Sequence, residues 1–387
     1  MSVHERQTKR GTVYDVRYRD PAGRHRSKSF RRERDADRFD AKVTVAKQTG
    51  EITRIDGGRE ALDAYVENTW APIHASALAP KTVKRYVGQY DGHISPGLGG
   101  YPLRDITPEI IGRWQADRLA AGAPVEETRK AAGLLGAILQ RALEAGRIPS
   151  NPARLVRKPA PAPRQEVRPL APTAVEQIRA ALLAGAGRDD PNTRRDILVM
   201  RDRDAVMVSI LAYAGLRPGE MRRLRWGHVL ERTLVVHAPK TRRHNPTPRS
   251  VRLLAPLAQD LRQWRLASGR PDGDELVIPA LDGGEMSESA FQDWRDGIWT
   301  AALKAAGVPY QRPYDLRHSF ASLLLHEGRS VIYVARQLGH GADLTLKTYG
   351  HVISELEDAP NIAAEDAIAA ARRGEHVRDL FDRTAGD

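Results

Sequence analysis

The chain has 387 residues, of which 61 are Lys or Arg and 49 Asp or Glu, and it contains no cysteine. Its length predicts two or three domains, and the missing thiols exclude disulfides, cysteine-ligated zinc and thiol nucleophiles. A net charge of +12 asks for a polyanionic partner, most simply nucleic acid, and residues 1–55 alone carry +7 of it.

The longest apolar runs, such as residues 205–216, fall short of the roughly 18 residues a membrane span needs. The first ten residues, MSVHERQTKR, have no apolar signal core. No membrane partner and a cytoplasmic, nucleoid-associated location are therefore expected.

Residues 11–30 read as a hairpin: Val13, Asp15, Arg17 and Arg19 alternate with Tyr14, Val16 and Tyr18, and Asp20-Pro21-Ala22-Gly23 supplies the turn. This predicts a small sheet with one apolar face and one basic face suited to DNA, with Arg17 and Arg19 as contacts. A charged helix is predicted over 31–47. From 59 to 146 the pattern is helical, with predicted helices over 61–70, 81–90 (after Pro80), from Thr107-Pro108-Glu109 onward, and over 125–145. Lys81 and Arg85 are candidate DNA contacts on these helices. Six prolines, at 152, 159, 161, 163, 169 and 172, then predict an extended linker, interleaved with Arg154, Arg157, Lys158 and Arg164. Beyond it, helices are predicted over 203–214, 288–306, 319–327 and 331–338, with one hairpin made of 233–238 and 249–254 around a basic loop. The Ala-rich tail from 363 reads as a helix that docks on this or a neighbouring subunit.

Four features of the C-terminal half carry chemistry. Arg217 sits on a corner, AGLRPGE, between a helix that ends at Gly215 and one that Pro218 begins. Lys240 is the only lysine between Lys158 and Lys304. Unlike the neighbouring Arg242, Arg243 and Arg249 it can give up a proton when tuned, so it is a candidate acid. The third is YDLRHSF, residues 314–320, and the fourth is LGH at 338–340 with Tyr349 nine positions after His340. Singly, each fits a helix corner, a surface cation or a capped turn. Together, in this order, they point to one site.

These motifs resemble those of the tyrosine recombinase (phage integrase) family. The resemblance is to integrases of mobile elements that carry an arm-binding domain. It implies a mainly α multidomain fold with small β elements: an arm-type DNA-binding domain over 1–56, a helical core-binding domain over 57–158, a proline-rich linker over 159–172, a catalytic domain over 173–356 and a tail helix over 357–387. It also implies the chemistry. Tyr349 would attack the scissile phosphate, Arg217 and Arg317 would clamp its oxygens, Lys240 would protonate the departing 5′ oxygen and His340 would hydrogen-bond the phosphate. Glu220 would support Arg217, and Arg242 and Arg243 would contact DNA. No cofactor or metal is implied. The implied partners are double-stranded attachment sites, three more copies of the chain in a tetramer on synapsed DNA, an excisionase and a host DNA-bending protein.

The chain departs from the family pattern once. Tyr314 stands where a histidine usually precedes the second arginine by three residues, and a tyrosine is a poor base at pH 7. His318 is the nearest substitute, although the resemblance gives that position a structural role. Two other readings stay open: a type IB topoisomerase-like enzyme, and a catalytically inactive DNA-binding regulator.

Overall fold

The computed structural model describes residues 3–8, 11–19, 24–49, 57–161, 169–188, 194–237, 248–355 and 361–374, with the backbone alone for 194–198 and 351–355. It divides into two units, Met1–Arg164 and Gln165–Asp387. Among the described residues, no helix is long and apolar enough to cross a membrane.

The first unit opens with a three-stranded antiparallel sheet, β1 (Val3–Thr8), β2 (Gly11–Arg19) and β3 (His25–Phe30), in the order 1-2-3. The predicted hairpin is β2–β3, with Tyr14 opposite Phe30 and Arg19 opposite His25, while its turn lies outside the described residues. The additional strand β1 pairs Val3 with Val16 at the other edge. Helix α1 (Glu33–Gln48) covers the apolar face, burying Ala36 and Val43 over Val16 and Tyr18. Phe39 meets Tyr18 edge-on at 5.7 Å. Alternation leaves Arg17 and Arg19 exposed on the opposite face. There the buried Asp15 carboxylate accepts from Ser29 and, at 2.9 Å, from Arg6.

The helical part of this unit has four rods. The first, α2, runs Leu62–Tyr65, Val66–Trp70 and Ala71–His74 without a break, its middle piece being a π-turn. The second, α3, likewise runs Pro80–Gln89, then the π-turn Tyr90–Ile94, then Ser95–Leu98. They are followed by α4 (Pro108–Ala120) and α5 (Val125–Glu144). Thr107 caps α4 as its sequence suggests, its hydroxyl accepting from the Ile110 N–H at 3.2 Å. The core is built from Leu62, Tyr65, Ile94, Leu98, Trp114, Leu135, Ile138 and Leu139. The proline-rich stretch is not extended throughout. Pro152–Leu155 makes a short 3₁₀ turn because Asn151 caps it, accepting from the Ala153 N–H at 3.1 Å.

The second unit carries α6 (Pro172–Ala184), α7 (Arg194–Tyr213), the short α8 (Pro218–Met221), the hairpin β4 (Thr233–Val236) and β5 (Arg249–Arg252), and α9 (Ala255–Ala267). Next comes α10, running Glu288–Trp294, the π-turn Arg295–Trp299 and Thr300–Ala305. It is followed by α11 (Leu316–His326), α12 (Val331–Leu338), α13 (Ala342–Glu355) and α14 (Ala364–Arg372). Every residue of α11 except His318 is buried, so this helix is the centre of the unit. The tail helix α14 docks on this same unit, with Ile368 in the core. Arg372 reaches Asp260 at 2.6 Å and Glu176 at 3.2 Å, and Tyr213 donates to Glu176 at 2.5 Å.

Candidate active site

Gly215 ends the α7 segment with φ +61°, a left-handed conformation that allows the chain to turn sharply. A Cβ there would stand 2.5 Å from the Phe320 ring on α11. The turn leads directly to Arg217, which precedes α8. Glu220 accepts the Arg217 backbone N–H at 2.9 Å and its guanidinium at 2.9 Å, which fixes the arginine over the corner. Its side chain keeps 39% of its surface exposed, so it holds an open cationic face.

Glu220 itself is buried and also accepts both terminal nitrogens of Arg249, at 2.9 and 2.7 Å. Burial raises its pKa, but the hydrogen bonds and charges of Arg249 and Arg217 override this and hold the carboxyl at about 2. Arg249 donates its remaining Nε–H to the Gln337 carbonyl at 3.0 Å. One carboxylate thus ties α8, β5 and the end of α12 together.

Arg317, on α11, is 2% exposed and donates to the carbonyls of Gly215 and Leu338. Burial and the nearby Arg217 charge lower its pKa to about 10, which leaves it a cation at neutral pH. Two of its five N–H donors are engaged by these carbonyls. Gly339 closes α12 at φ +67°, where a Cβ would sit 2.9 Å from the Arg249 side chain. His340 follows at once, its Nδ1 3.0 Å from the Thr345 hydroxyl on α13. Burial, with the charges of Arg317, Arg217 and Arg249, keeps its ring below the usual histidine pKa.

Tyr349, also on α13, is 1% exposed, and its hydroxyl lies 2.6 Å from Nδ1 of His318. Burial pushes the phenol up, against the pull of Arg317. Tyr314 is 41% exposed, and its ring meets His318 edge-on at 6.0 Å.

The structure therefore brings together Arg217, Glu220, Arg317, His340 and Tyr349. Lys240, Arg242 and Arg243 lie outside the described residues. Arg17 and Arg19 on β2, and Lys81 and Arg85 on α3, are exposed residues of the other unit, and Arg85 lies over the Tyr86 ring at 5.2 Å. The sequence reading missed Arg249, which shares Glu220 with Arg217. Nothing in its local sequence distinguishes it from the many other arginines. Among the described residues, no group of three or more His, Asp or Glu side chains is placed to hold a metal ion.

The Phage integrase family model matches residues 193–355, and the N-terminal SAM-like domain of phage integrases matches residues 65–117. The tyrosine recombinase XerD of Pseudomonas aeruginosa is 30% identical over 303 residues, which cover 77% of this chain and 94% of that protein. The chain belongs to the tyrosine recombinase family. A second tyrosine recombinase, XerC of Xanthomonas axonopodis pv. citri, is 31% identical over 233 residues, covering 59% of this chain and 69% of its own length. A putative prophage integrase of Mycobacterium tuberculosis, phiRv2, is 27% identical over 289 residues, 71% of this chain and 70% of its own. The fold is also that of lambda integrase. In a dimer of that protein bound to a COC′ core site, the likeness has a TM-score of 0.57 at 18% identity, and covers 88% of this chain and 93% of the other. The mainly helical architecture with small antiparallel sheets is thus a tyrosine recombinase architecture in both units.

Proposed function

We propose that this tyrosine recombinase is a site-specific integrase that cuts and rejoins duplex DNA through a 3′-phosphotyrosine bond, to integrate or excise a mobile element. The observation that carries the reading is the convergence of Arg217, Arg317 and His340 with the buried Tyr349 hydroxyl in one unit. Likeness to a prophage integrase supports the mobile-element role.

In this reaction the Tyr349 oxygen attacks the scissile phosphorus and the 5′ oxygen leaves, taking a proton from Lys240. Arg217, open to solvent, and Arg317, with donors to spare, stabilise the charge that grows on the non-bridging oxygens. His340 hydrogen-bonds the same phosphate. Glu220 holds Arg217 in place. One phosphodiester replaces another, so resealing needs no ATP, and the guanidinium groups bring the positive charge that a metal brings elsewhere. The substrates are double-stranded attachment sites, held by four copies of the chain, with an excisionase and a DNA-bending protein setting direction. The exposed basic face of the N-terminal sheet, with Arg17 and Arg19, reads an arm site. Lys81, Arg85, Arg242 and Arg243 follow the crossover site.

The test is covalent capture: the protein and its Tyr349→Phe variant are incubated with fragmented host DNA and denatured, and DNA still attached to protein is sequenced. Adducts at a discrete site with the native chain alone are expected. Adducts scattered without preference would favour a type IB topoisomerase-like enzyme. Binding without adducts from either protein would indicate an inactive regulator.

A further inference from the structure

We propose that His318 is the catalytic group that takes the proton from Tyr349 when the nucleophile attacks, in place of a histidine at position 314. The inference rests on the recombinase reading and names the one step it leaves without a residue.

The geometry has three parts. First, Nδ1 of His318 is the atom that the nucleophile's hydroxyl meets, at 2.6 Å, and the rings lie 5.6 Å apart and tilted. With the proton of the neutral ring on Nε2, Nδ1 is an acceptor aimed at the Tyr349 O–H. Second, Tyr314 packs edge-on against the His318 ring and remains 41% exposed. Third, Arg317 and His318 are successive residues of α11, so the group that grips the phosphate and the group that meets the nucleophile are fixed by the same buried helix. Besides Tyr349 from α13 and Tyr314, the groups that act on His318 are Asp315, Arg317 and Arg312 from its own end of α11 and His340 from beyond α12. Burial and the cationic neighbours outweigh Asp315 and lower its pKa to about 4, which keeps the ring neutral above pH 5.

The step balances. The Tyr349 oxygen forms its bond to phosphorus as its proton moves to Nδ1, giving an imidazolium, and the phosphorus–O5′ bond breaks with the leaving oxygen protonated by Lys240. On rejoining, the 5′ hydroxyl returns its proton to Lys240 and the imidazolium returns its proton to the departing phenolate.

The experiment uses the full chain and a duplex of the captured crossover sequence with a bridging 5′-phosphorothiolate at the scissile position. Sulfur leaves without a proton, so cleavage reports on activation of the nucleophile alone. Single-turnover rates are measured from pH 6 to 8 for the native chain, for His318→Asn, and for both with 3,5-difluorotyrosine at position 349. Asparagine keeps a hydrogen-bonding atom near Nδ1 but cannot take a proton. The native rate is expected to be flat with pH. The Asn variant is expected to be about 10²–10⁴-fold slower, to gain about tenfold per pH unit as hydroxide replaces the base, and to recover most of its rate with the more acidic difluorotyrosine. A native rate that itself climbs tenfold per pH unit would overturn the proposal, whatever the variant does. So would an Asn variant that cleaves at the native rate, or one that stays slow with difluorotyrosine. Absence of any adduct from the native chain would instead remove the recombinase reading and the inference with it.

Discussion

A buried carboxylate shared by two guanidinium groups couples Arg217 to Arg249, because movement of either costs Glu220 part of its charge pairing. The Glu220 pKa falls from an ordinary 4.5 to about 2 on folding, which corresponds to about 3 kcal/mol of stability. Since the folded value is the lower one, this stability is present above pH 4.5 and is lost as pH falls from there toward 2. Urea midpoints of the native chain and Glu220→Gln should therefore differ most at pH 7 and converge below pH 4. Arg249→Ala should slow cleavage more than it weakens DNA binding, as read by single-turnover rates against binding isotherms, because it loosens Arg217 without being placed to touch the phosphate. Arg217, Arg317, His340 and Tyr349 were legible in the sequence, since their motif spacing is unlike chance. Arg249 was not, because its role comes from a strand pairing that brings it to Glu220 from 29 residues away. The exchange at Tyr314 was visible as a residue, but its edge-on packing against His318 was not.

At the scale of elements, periodicity located the helices whose buried faces are regular, α5 and α12 above all. It passed over β1, since VHERQT has no alternation and all six of its side chains are exposed or half-buried at a sheet edge. It started α11 three residues late, because Leu316, Arg317 and His318 do not look like the head of a helix buried on every side. The docking of α14 rests on charge as much as on apolar contact. Asp260 receives Arg179 at 2.9 Å, Arg372 at 2.6 Å and the Ser209 hydroxyl at 2.8 Å. Arg372→Ala should cost about 2 kcal/mol, the loss of charge-assisted hydrogen bonds that are partly replaced by Arg179. Limited proteolysis should then release the C-terminal segment earlier than it does from the native chain.

At the scale of the whole molecule, positive charge is unequally distributed. Residues 1–55 carry +7 of a net +12, so the N-terminal sheet and its helix hold most of the excess positive charge in a seventh of the length. Removing residues 1–55 should leave cleavage at the crossover site intact and abolish integration that depends on a distant arm site, measured on substrates with and without that site. Binding of the full chain should weaken steeply with salt, the logarithm of the binding constant falling by about 0.9 per phosphate neutralised for each tenfold rise in salt. The truncated chain should show the shallower slope on arm-containing DNA. Composition made this asymmetry plain, and the alternation along β2 already put Arg17 and Arg19 on one face; the strand β1 at the other edge of the sheet was what the structure added.

Three of the rods, α2, α3 and α10, each contain a π-turn, over Val66–Trp70, Tyr90–Ile94 and Arg295–Trp299. A π-turn closes its hydrogen bond over five residues rather than four, so it stores about one surplus residue without breaking the rod. Each is therefore a place where the chain can change length by a single codon inside a helix. Deleting one residue there should return the segment to ordinary α geometry with the buried faces on both sides still in phase, whereas the same deletion a turn away would rotate everything beyond it by about 100°.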